Sequence, residues 1–177
     1  MAKKFVIDAG HGGKDAGAVN GGLYEKAAAL KVAKLLGVEL EKRGHAVVYT
    51  RVDDTFVELS DRTKISNNSN ADYFVSLHCN SAENKSAEGV ETWYHTKSTK
   101  GKALAQSVQN ELAKIDGIKN RGIKGGEFYV LKYTKAPAIL IELGFISHEA
   151  EKKLLFKEFY QRDLCDKIVT GIIKHVG

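Results

Sequence analysis

The chain contains 177 residues, of which 43% are hydrophobic and 28% are charged, and its formal net charge at pH 7 is +5. This length supports one hydrophobic core and is too short for two ordinary domains, so we expect a single domain spanning residues 1–177. Basic residues are interspersed with acidic ones, so the charge favours a polyanionic partner without distinguishing nucleic acid from an anionic wall polymer.

The first half of the chain alternates predicted strands and helices. Residues 3–9 form an apolar run that ends in a glycine loop containing His11, which predicts a buried strand followed by a tight turn. Residues 23–42 have apolar positions at helical spacing, and Gly44 is a predicted C-terminal cap. The next predicted elements are a strand at 45–50, a helix at 57–68 with Asp61 and Arg62 on its exposed face, and a buried strand at 73–77 that ends at His78.

The second half continues the alternation. Residues 89–95 alternate apolar and polar side chains, which predicts a more exposed strand, and residues 101–115 predict an amphipathic helix. A glycine-bearing segment at 121–126 precedes apolar runs at 128–131 and 138–143 and a helix-rich tail at 148–175. Strands that alternate with helices predict an α/β fold with a largely parallel sheet covered by helices on both faces.

The N-terminus and the two cysteines indicate whether the chain is exported or crosses a membrane. Residues 1–4 are basic, but the apolar stretch after them is too short for the core of a signal peptide, and no stretch approaches the length of a membrane span. We therefore expect no membrane span and no export signal, so an extracellular role would require release by lysis or a longer exported protein. Cys79 lies in an apolar strand pattern and Cys165 on a predicted helix, which indicates two buried free thiols.

Four residues form a candidate catalytic cluster. His11, His78 and Glu142 lie at or next to predicted strand ends, where ligands gather in sheets of this kind. Glu25 lies at the start of the first long helix, and the loop begun by His11 can return it to the same rim. Two histidines and one glutamate are a known zinc shell for hydrolysis, and a further carboxylate could transfer the proton. Glu142 suits that second duty because its apolar strand would raise its pKa.

Each residue of the cluster also has a simpler interpretation. His78 alone would more often be a core histidine, and Glu25 alone could stabilise a helix N-terminus. Glu142 is harder to explain without chemistry, because an unpaired carboxylate in an apolar strand is costly. The spacing matches no short helical zinc motif, so spacing alone leaves the metal undecided. Surface or packing roles are expected for the histidines outside the cluster, which are His45, His95, His148 and His175.

Seven blocks in order carry a resemblance that extends from Lys3 to the final helix. Three of them read IDAGHGG at 7–13, ADYFVSLHCN at 71–80 and PAILIELGFI at 137–146, and the others are Glu25 and residues 50–51, 59–62 and 89–91. Together they resemble the N-acetylmuramoyl-L-alanine amidase family of type-3 zinc amidases.

The resemblance implies a mixed, mostly parallel six-stranded sheet and a Zn²⁺ ion held by His11, Glu25 and His78. It implies that Glu142 is the catalytic glutamate, and that the enzyme hydrolyses the amide bond between N-acetylmuramic acid and L-alanine in peptidoglycan. Asn80 and Arg121 are weaker candidates for substrate contacts, since each could equally be a turn residue or a solvated charge.

The expected partner is therefore peptidoglycan and not nucleic acid, bound by a monomeric catalytic module. No helix is predicted between Ser81 and Val90 that could cover the site. The origin stays open between a phage endolysin, which we favour, and a bacterial autolysin. Two alternatives remain: a zinc peptidase that cuts within the stem peptide, and a wall-binding module without activity.

Overall fold

A six-stranded sheet forms the centre of the protein in a computed structural model that describes all 177 residues. The strands are β1 (Lys4–Ala9), β4 (Ala46–Tyr49), β5 (Tyr73–Asn80), β6 (Val90–His95), β7 (Asn120–Gly126) and β8 (Ala138–Phe145), and a separate short hairpin contains β2 (Val19–Asn20) and β3 (Leu23–Tyr24). The order across the sheet is β4-β1-β5-β8-β6-β7. Within this six-stranded sheet only the pairing of β6 with β8 is antiparallel, so the predicted mixed, mostly parallel sheet is confirmed.

Six helices cover the sheet on both faces, as predicted. They are α1 (Glu25–Lys42), α2 (Leu59–Asn68), α3 (Thr99–Leu112), α4 (Tyr129–Tyr133), α5 (Glu149–Leu155) and α6 (Glu158–Val176). One face packs against α1, α3 and α6 in a cluster of 28 buried residues, whereas the cluster under α2 and α4 contains only 6. The second face is therefore thinly covered, which leaves room for a site. None of the helices has the length and apolar character needed to cross a bilayer.

The pairing register aligns polar residues on that thinly covered face. His78 in β5 pairs with Glu142 in β8, and Glu142 pairs with Glu91 in β6. Side chains alternate along a strand, so Glu142 projects from the same face as Leu140, which belongs to the smaller cluster. Cys79 projects to the opposite face and belongs to the larger cluster. Both Cys79 and Cys165 are buried free thiols, as predicted.

Several predicted elements differ from the structure in their limits or surroundings. Residues 23–24 pair with residues 19–20 across a two-glycine turn, so α1 begins at Glu25. The strand predicted at 73–77 continues to Asn80 because its backbone pairs with β8, and His78 therefore lies within the strand. Residues 121–126 form an edge strand, and much of the apolar run at 128–131 lies in α4.

Two predictions of exposure were wrong. Arg62, expected on the exposed face of its helix, is 3% exposed because that face of α2 packs over the end of β1. The first three residues of β6 are buried because the strand lies inside the sheet, between β8 and β7, with α3 against it.

Candidate functional site

His11, Glu25 and His78 converge from three different elements. They lie in the loop after β1, at the first residue of α1 and in β5. The Glu25 Oε1 atom is 3.0 Å from His11 Nε2 and 2.9 Å from His78 Nδ1. One donor atom from each residue lies within 4.8 Å of the other two. Two imidazole nitrogens and one carboxylate oxygen at this separation fit a zinc ion.

Unusual backbone conformations allow this approach. His11 has a φ of 59°, a left-handed conformation that is uncommon outside glycine. A methyl group at Gly10 would overlap the imidazole ring of His78. At Gly17, where φ is 65°, it would lie 2.6 Å from the His11 ring and 2.7 Å from the Glu25 carboxylate. The glycine loop is therefore shaped around the three side chains.

Asp15 orients the imidazole of His11. Its Oδ2 atom is 2.8 Å from His11 Nδ1, and its Oδ1 atom accepts a hydrogen bond from the Gly17 amide at 3.0 Å. A carboxylate on Nδ1 leaves Nε2 to face Glu25, as in metal sites where a second carboxylate fixes the ring. Asp15 was not predicted from the sequence, although it follows His11 by four residues in the same glycine loop.

Backbone amides hold the carboxylate of Glu25. Its Oε2 atom accepts from the Ala18 amide at 2.8 Å and its Oε1 atom accepts from the Cys79 amide at 3.0 Å. Glu25 is 4% exposed, so these bonds keep a buried carboxylate in a single orientation.

Charge interactions stabilise the ionised form of both His11 and Glu25. Burial raises the pKa of the Glu25 carboxyl, but hydrogen bonds with His11 and His78 outweigh burial and hold that pKa far below its usual range. Burial lowers the pKa of His11, but hydrogen bonds and charge attraction from Glu25 and Asp15 leave it raised. The carboxylates of Glu25 and Asp15 thus favour positive charge at this position, whether it is a proton on an imidazole or a metal ion bound to neutral imidazoles.

Glu142 has a contrasting environment. Its Oε2 atom is buried and has no hydrogen-bond partner. Burial raises the pKa of the Glu142 carboxyl to about 7, against an opposing attraction from His78 and with added repulsion from Glu25 and Glu91. The predicted raised pKa is thus confirmed. A buried polar atom without a partner is rare, and here it belongs to the residue that pairs with His78 on the neighbouring strand.

A buried carboxylate lies beneath the site. Asp8 is 1% exposed and accepts hydrogen bonds from Arg62 Nη1 at 2.8 Å, Thr50 Oγ1 at 2.7 Å and Ser76 Oγ at 2.6 Å. Burial alone would raise the pKa of Asp8, but Arg62 and these hydroxyl groups lower it below its ordinary value. The carboxylate is therefore ionised, and both of its oxygens accept hydrogen bonds.

Two buried arginines bind the backbone of the His11 loop. Arg62 donates to the carbonyl oxygens of Ala9 at 2.6 Å and His11 at 2.7 Å. Arg51, which is 4% exposed, donates to those of Ala9 at 2.9 Å and Gly10 at 2.8 Å. These bonds satisfy three consecutive carbonyl groups and hold the strained turn that carries His11.

A second polar cluster surrounds Glu91, which is 1% exposed. Its carboxylate accepts from Lys124 Nζ at 2.6 Å, Arg121 Nε at 2.7 Å, Trp93 Nε1 at 2.9 Å and Asn80 Nδ2 at 3.0 Å. Burial raises the pKa of Glu91, but Lys124 and Arg121 outweigh it and the pKa is lowered. Glu91 and Lys124 were not predicted as site residues.

The two weaker candidates both belong to this Glu91 cluster. The Asn80 side-chain oxygen accepts from the Ser81 amide at 2.9 Å while its nitrogen donates to Glu91, so its polar groups are already engaged within the protein. Arg121 lies over the Phe145 ring, with its guanidinium carbon 4.8 Å from the ring centroid, and its side chain is 27% exposed. Arg121 is the better placed of the two to contact a ligand.

A cavity of about 390 Å³ opens beside the two histidines. Polar groups of His11, His78, Asp15 and Arg62 contribute to its lining. Its apolar lining comes from α2, α4 and the segments that precede them, namely Phe56, Val57, Leu59, Phe128, Tyr129, Val130 and Leu140. Residues 81–89 contain no helix, as predicted.

Comparison with known proteins places this arrangement in a family. A family model described as N-acetylmuramoyl-L-alanine amidase matches residues 5–174. The amidase LytC of Bacillus subtilis (strain 168) is 36% identical over 99% of this chain, which spans only 36% of LytC. Two solved structures are similar over nearly their full length. An amidase of Clostridium difficile 630 has a TM-score of 0.95 and 40% identity, covering 99% of this chain and 97% of that one.

The second structure is the catalytic domain of CwlV, an amidase of Bacillus (Paenibacillus) polymyxa var. colistinus. It has a TM-score of 0.94 and 39% identity, covering 98% of each chain. Because the family model and both solved domains match almost every residue, the chain belongs to the N-acetylmuramoyl-L-alanine amidase family.

Proposed function

We propose that the protein is a zinc-dependent hydrolase that cuts the amide bond between N-acetylmuramic acid and L-alanine in peptidoglycan. The observation that carries the proposal is the convergence of two imidazoles and a fixed carboxylate beside a buried, unpartnered carboxyl group, in a chain of the amidase family. We further propose that residues 1–177 form one catalytic domain that acts on the cell wall as a monomer.

His11, Glu25 and His78 would hold the ion. Zinc bound by two histidines and a glutamate supplies a Lewis acid that polarises the scissile carbonyl and lowers the pKa of water to about 7. Asp15 fixes the ring of His11, and two backbone amides fix Glu25, so both side chains are oriented before any ion arrives. Such preorganisation favours binding because little side-chain freedom remains to be lost.

Glu142 would move the proton. A carboxyl group with a pKa of about 7 exists in both protonation states near neutral pH. The ionised form accepts a proton from the attacking water, and the protonated form returns it to the nitrogen of the leaving alanine. The free Oε2 atom of Glu142 supports this role, because a carboxyl that is saturated by protein donors, like that of Glu91, could not take it.

Digestion of purified peptidoglycan tests the proposed reaction. We expect release of alanine amino groups without new reducing sugar ends, loss of that release in a chelator, and its recovery when zinc is added. New amino groups from other stem residues would support the stem peptidase instead. Wall binding without any released group would support the non-catalytic module.

The variant Glu142→Gln tests the assigned proton transfer. It keeps the size of the side chain but cannot accept a proton, so we expect at least a 100-fold loss of kcat while zinc content and wall binding stay near wild type. Glu41→Gln, on an exposed turn of α1, is the matched control. Loss of bound zinc in Glu142→Gln would contradict the assignment and show that Glu142 supports the metal centre.

A further inference from the structure

Arg121 and Lys124 together carry more positive charge than the single negative charge of Glu91 neutralises. One buried carboxylate would be neutralised by one cation, yet two cations contact Glu91 Oε2, at 2.7 and 2.6 Å. Trp93 and Asn80 occupy the other carboxylate oxygen, so Glu91 has no capacity for further donors. The group of three charged side chains therefore carries an excess charge of +1 beside the site.

The cations face outwards while the carboxylate lies beneath them. The side chains of Arg121 and Lys124 are 27% and 34% exposed, whereas that of Glu91 is 2% exposed. Arg121 uses Nε for Glu91 and Nη1 for the Glu88 carbonyl at 3.2 Å, and its Nη2 makes no hydrogen bond. Lys124 Nζ makes one hydrogen bond although it has three donors. Donors remain on both cations for a ligand.

Aromatic rings fix the direction of both cations. The Arg121 guanidinium lies 4.8 Å from the centroid of Phe145, and the Lys124 ammonium lies 5.3 Å from that of Trp93. A cation held between a ring and a buried carboxylate loses little freedom when an anion binds. This distinguishes the pair from an ordinary solvated surface charge.

The pair lies next to the proposed reacting centre. Glu91 is directly opposite Glu142 in the register of β6 and β8, with both side chains on one face of the sheet. The largely apolar cavity lined by α2 and α4 also adjoins His78. A substrate that reaches from this cavity past Glu142 therefore meets the exposed cations of Arg121 and Lys124 next to Glu91.

We propose that Arg121 and Lys124, supported from below by Glu91, form a subsite for a free carboxylate of the stem peptide. The inference rests on the proposed function. In peptidoglycan the sugar chain of N-acetylated residues is neutral at this point, because the muramic carboxyl is part of the scissile amide, so the free carboxylates lie on the peptide. The subsite would then place the peptide over β6 and β7, and the nearest free carboxylate is the α-carboxyl of the second stem residue.

Defined muropeptides that differ only at that carboxyl test the proposal. We expect wild-type kcat/KM to be roughly 10–100-fold higher for a stem with the free α-carboxylate than for the same stem with an amidated one, since hydrogen bonds between charged groups have about this effect. The preference should be expressed mainly in KM, because the contact is made before the reaction and persists through it.

Variants then connect the preference to the two cations. Arg121→Gln and Lys124→Gln should each reduce the ratio of kcat/KM between the two substrates towards one, and Arg121→Lys should restore part of it. Lys119 is an exposed residue immediately before β7, and Lys119→Gln removes the same charge and should keep the wild-type ratio. Zinc content and unfolding temperature measured on each variant identify any that fails to fold, and Lys124 offers the less disruptive change of the two.

The outcomes separate this inference from the function on which it rests. If wild-type enzyme cuts both substrates at the same rate, or if the variants slow both substrates equally, the carboxylate subsite is refuted while the amidase function stands. If wild-type enzyme cuts neither substrate, the proposed function itself fails.

Discussion

Removal of Arg62 should destabilise the fold and, with it, the proposed metal centre. Arg62 and Asp8 are 3% and 1% exposed, and the ion pair between Nη1 and Oδ1 measures 2.8 Å. The guanidinium also donates to the carbonyl groups of Val57, Ala9 and His11. Arg62→Met keeps much of the side-chain volume but leaves Asp8 with only two hydroxyl donors and leaves buried carbonyl groups short of a partner.

The expected cost is large for a single substitution. Breaking a buried ion pair by removing one partner costs about 3–5 kcal/mol, because the remaining charge stays buried. For a domain of this size each kcal/mol lowers Tm by roughly 2–4 °C, so the loss should be about 6–20 °C. The His11 turn also loses one of its two arginine supports, so the affinity for zinc should fall as well.

Urea unfolding in the presence of chelator measures the effect on the fold alone. Arg162→Met is the matched control, since Arg162 makes a pair with Glu158 in which both side chains are more than 60% exposed, and its urea midpoint should stay at the wild-type value. The double variant with Asp8→Asn should be less destabilised than the sum of the single variants. A loss below about 1 kcal/mol for Arg62→Met would refute the reasoning that this buried pair is essential to the fold.

Three further predictions concern packing, pH and metal. Gly171→Ala would place a methyl group 2.5 Å from the Cα of Val108, where α6 crosses α3, so thermal unfolding should show a lower Tm than wild type. Asp166→Ala, at an exposed position on the same helix, is the control and should keep the wild-type Tm. An unchanged Tm for Gly171→Ala would show that the two helices can separate without cost. The pKa of Asp8 is lower in the folded protein than its ordinary value of about 3.9. Ionised Asp8 therefore contributes its full stabilisation to the free energy of unfolding at pH values above about 3.9, and this stabilisation is lost as the pH falls through the folded pKa. The drop in urea midpoint between pH 7 and pH 3 should therefore be smaller in Asp8→Asn, and an equal drop would contradict the assignment. Zinc at about 100 times its dissociation constant should raise the free energy of unfolding by about 2.7 kcal/mol. Chelator should remove this stabilisation, and His78→Ala should lack it. A zinc-dependent stabilisation that survives in His78→Ala would place the ion elsewhere.

Local rules singled out the candidate ligand positions in the sequence, and the family resemblance then assigned them to a metal. His11 comes after a buried strand at a glycine loop, and His78 lies near the carboxyl end of another, so a largely parallel sheet brings them to the same region. Glu142 could be singled out because a carboxylate within an apolar run is costly unless it has a purpose. These signals need no knowledge of which strands are neighbours.

The residues that support the site could not be predicted without knowing which elements pack together. Arg62 and Asp8 are separated by 54 positions, and only the packing of α2 over β1 makes them a buried pair. The alternation in β6 suggested an exposed strand, but its interior place in the sheet buries Glu91 and turns it towards β7. The hairpin before α1 had a detectable signal in Gly21 and Gly22, both with positive φ, which the helical pattern of the following residues obscured.

Hydrolysis of a defined muropeptide in H₂¹⁸O tests the central claim most directly. If the enzyme cuts the bond between N-acetylmuramic acid and L-alanine, mass spectrometry should find one ¹⁸O atom in the carboxylate of the released muramic acid and none in the peptide, which would begin with a free alanine amine. Label in a carboxylate within the stem peptide, with the muramoyl amide intact, would contradict the account and identify the protein as a peptidase.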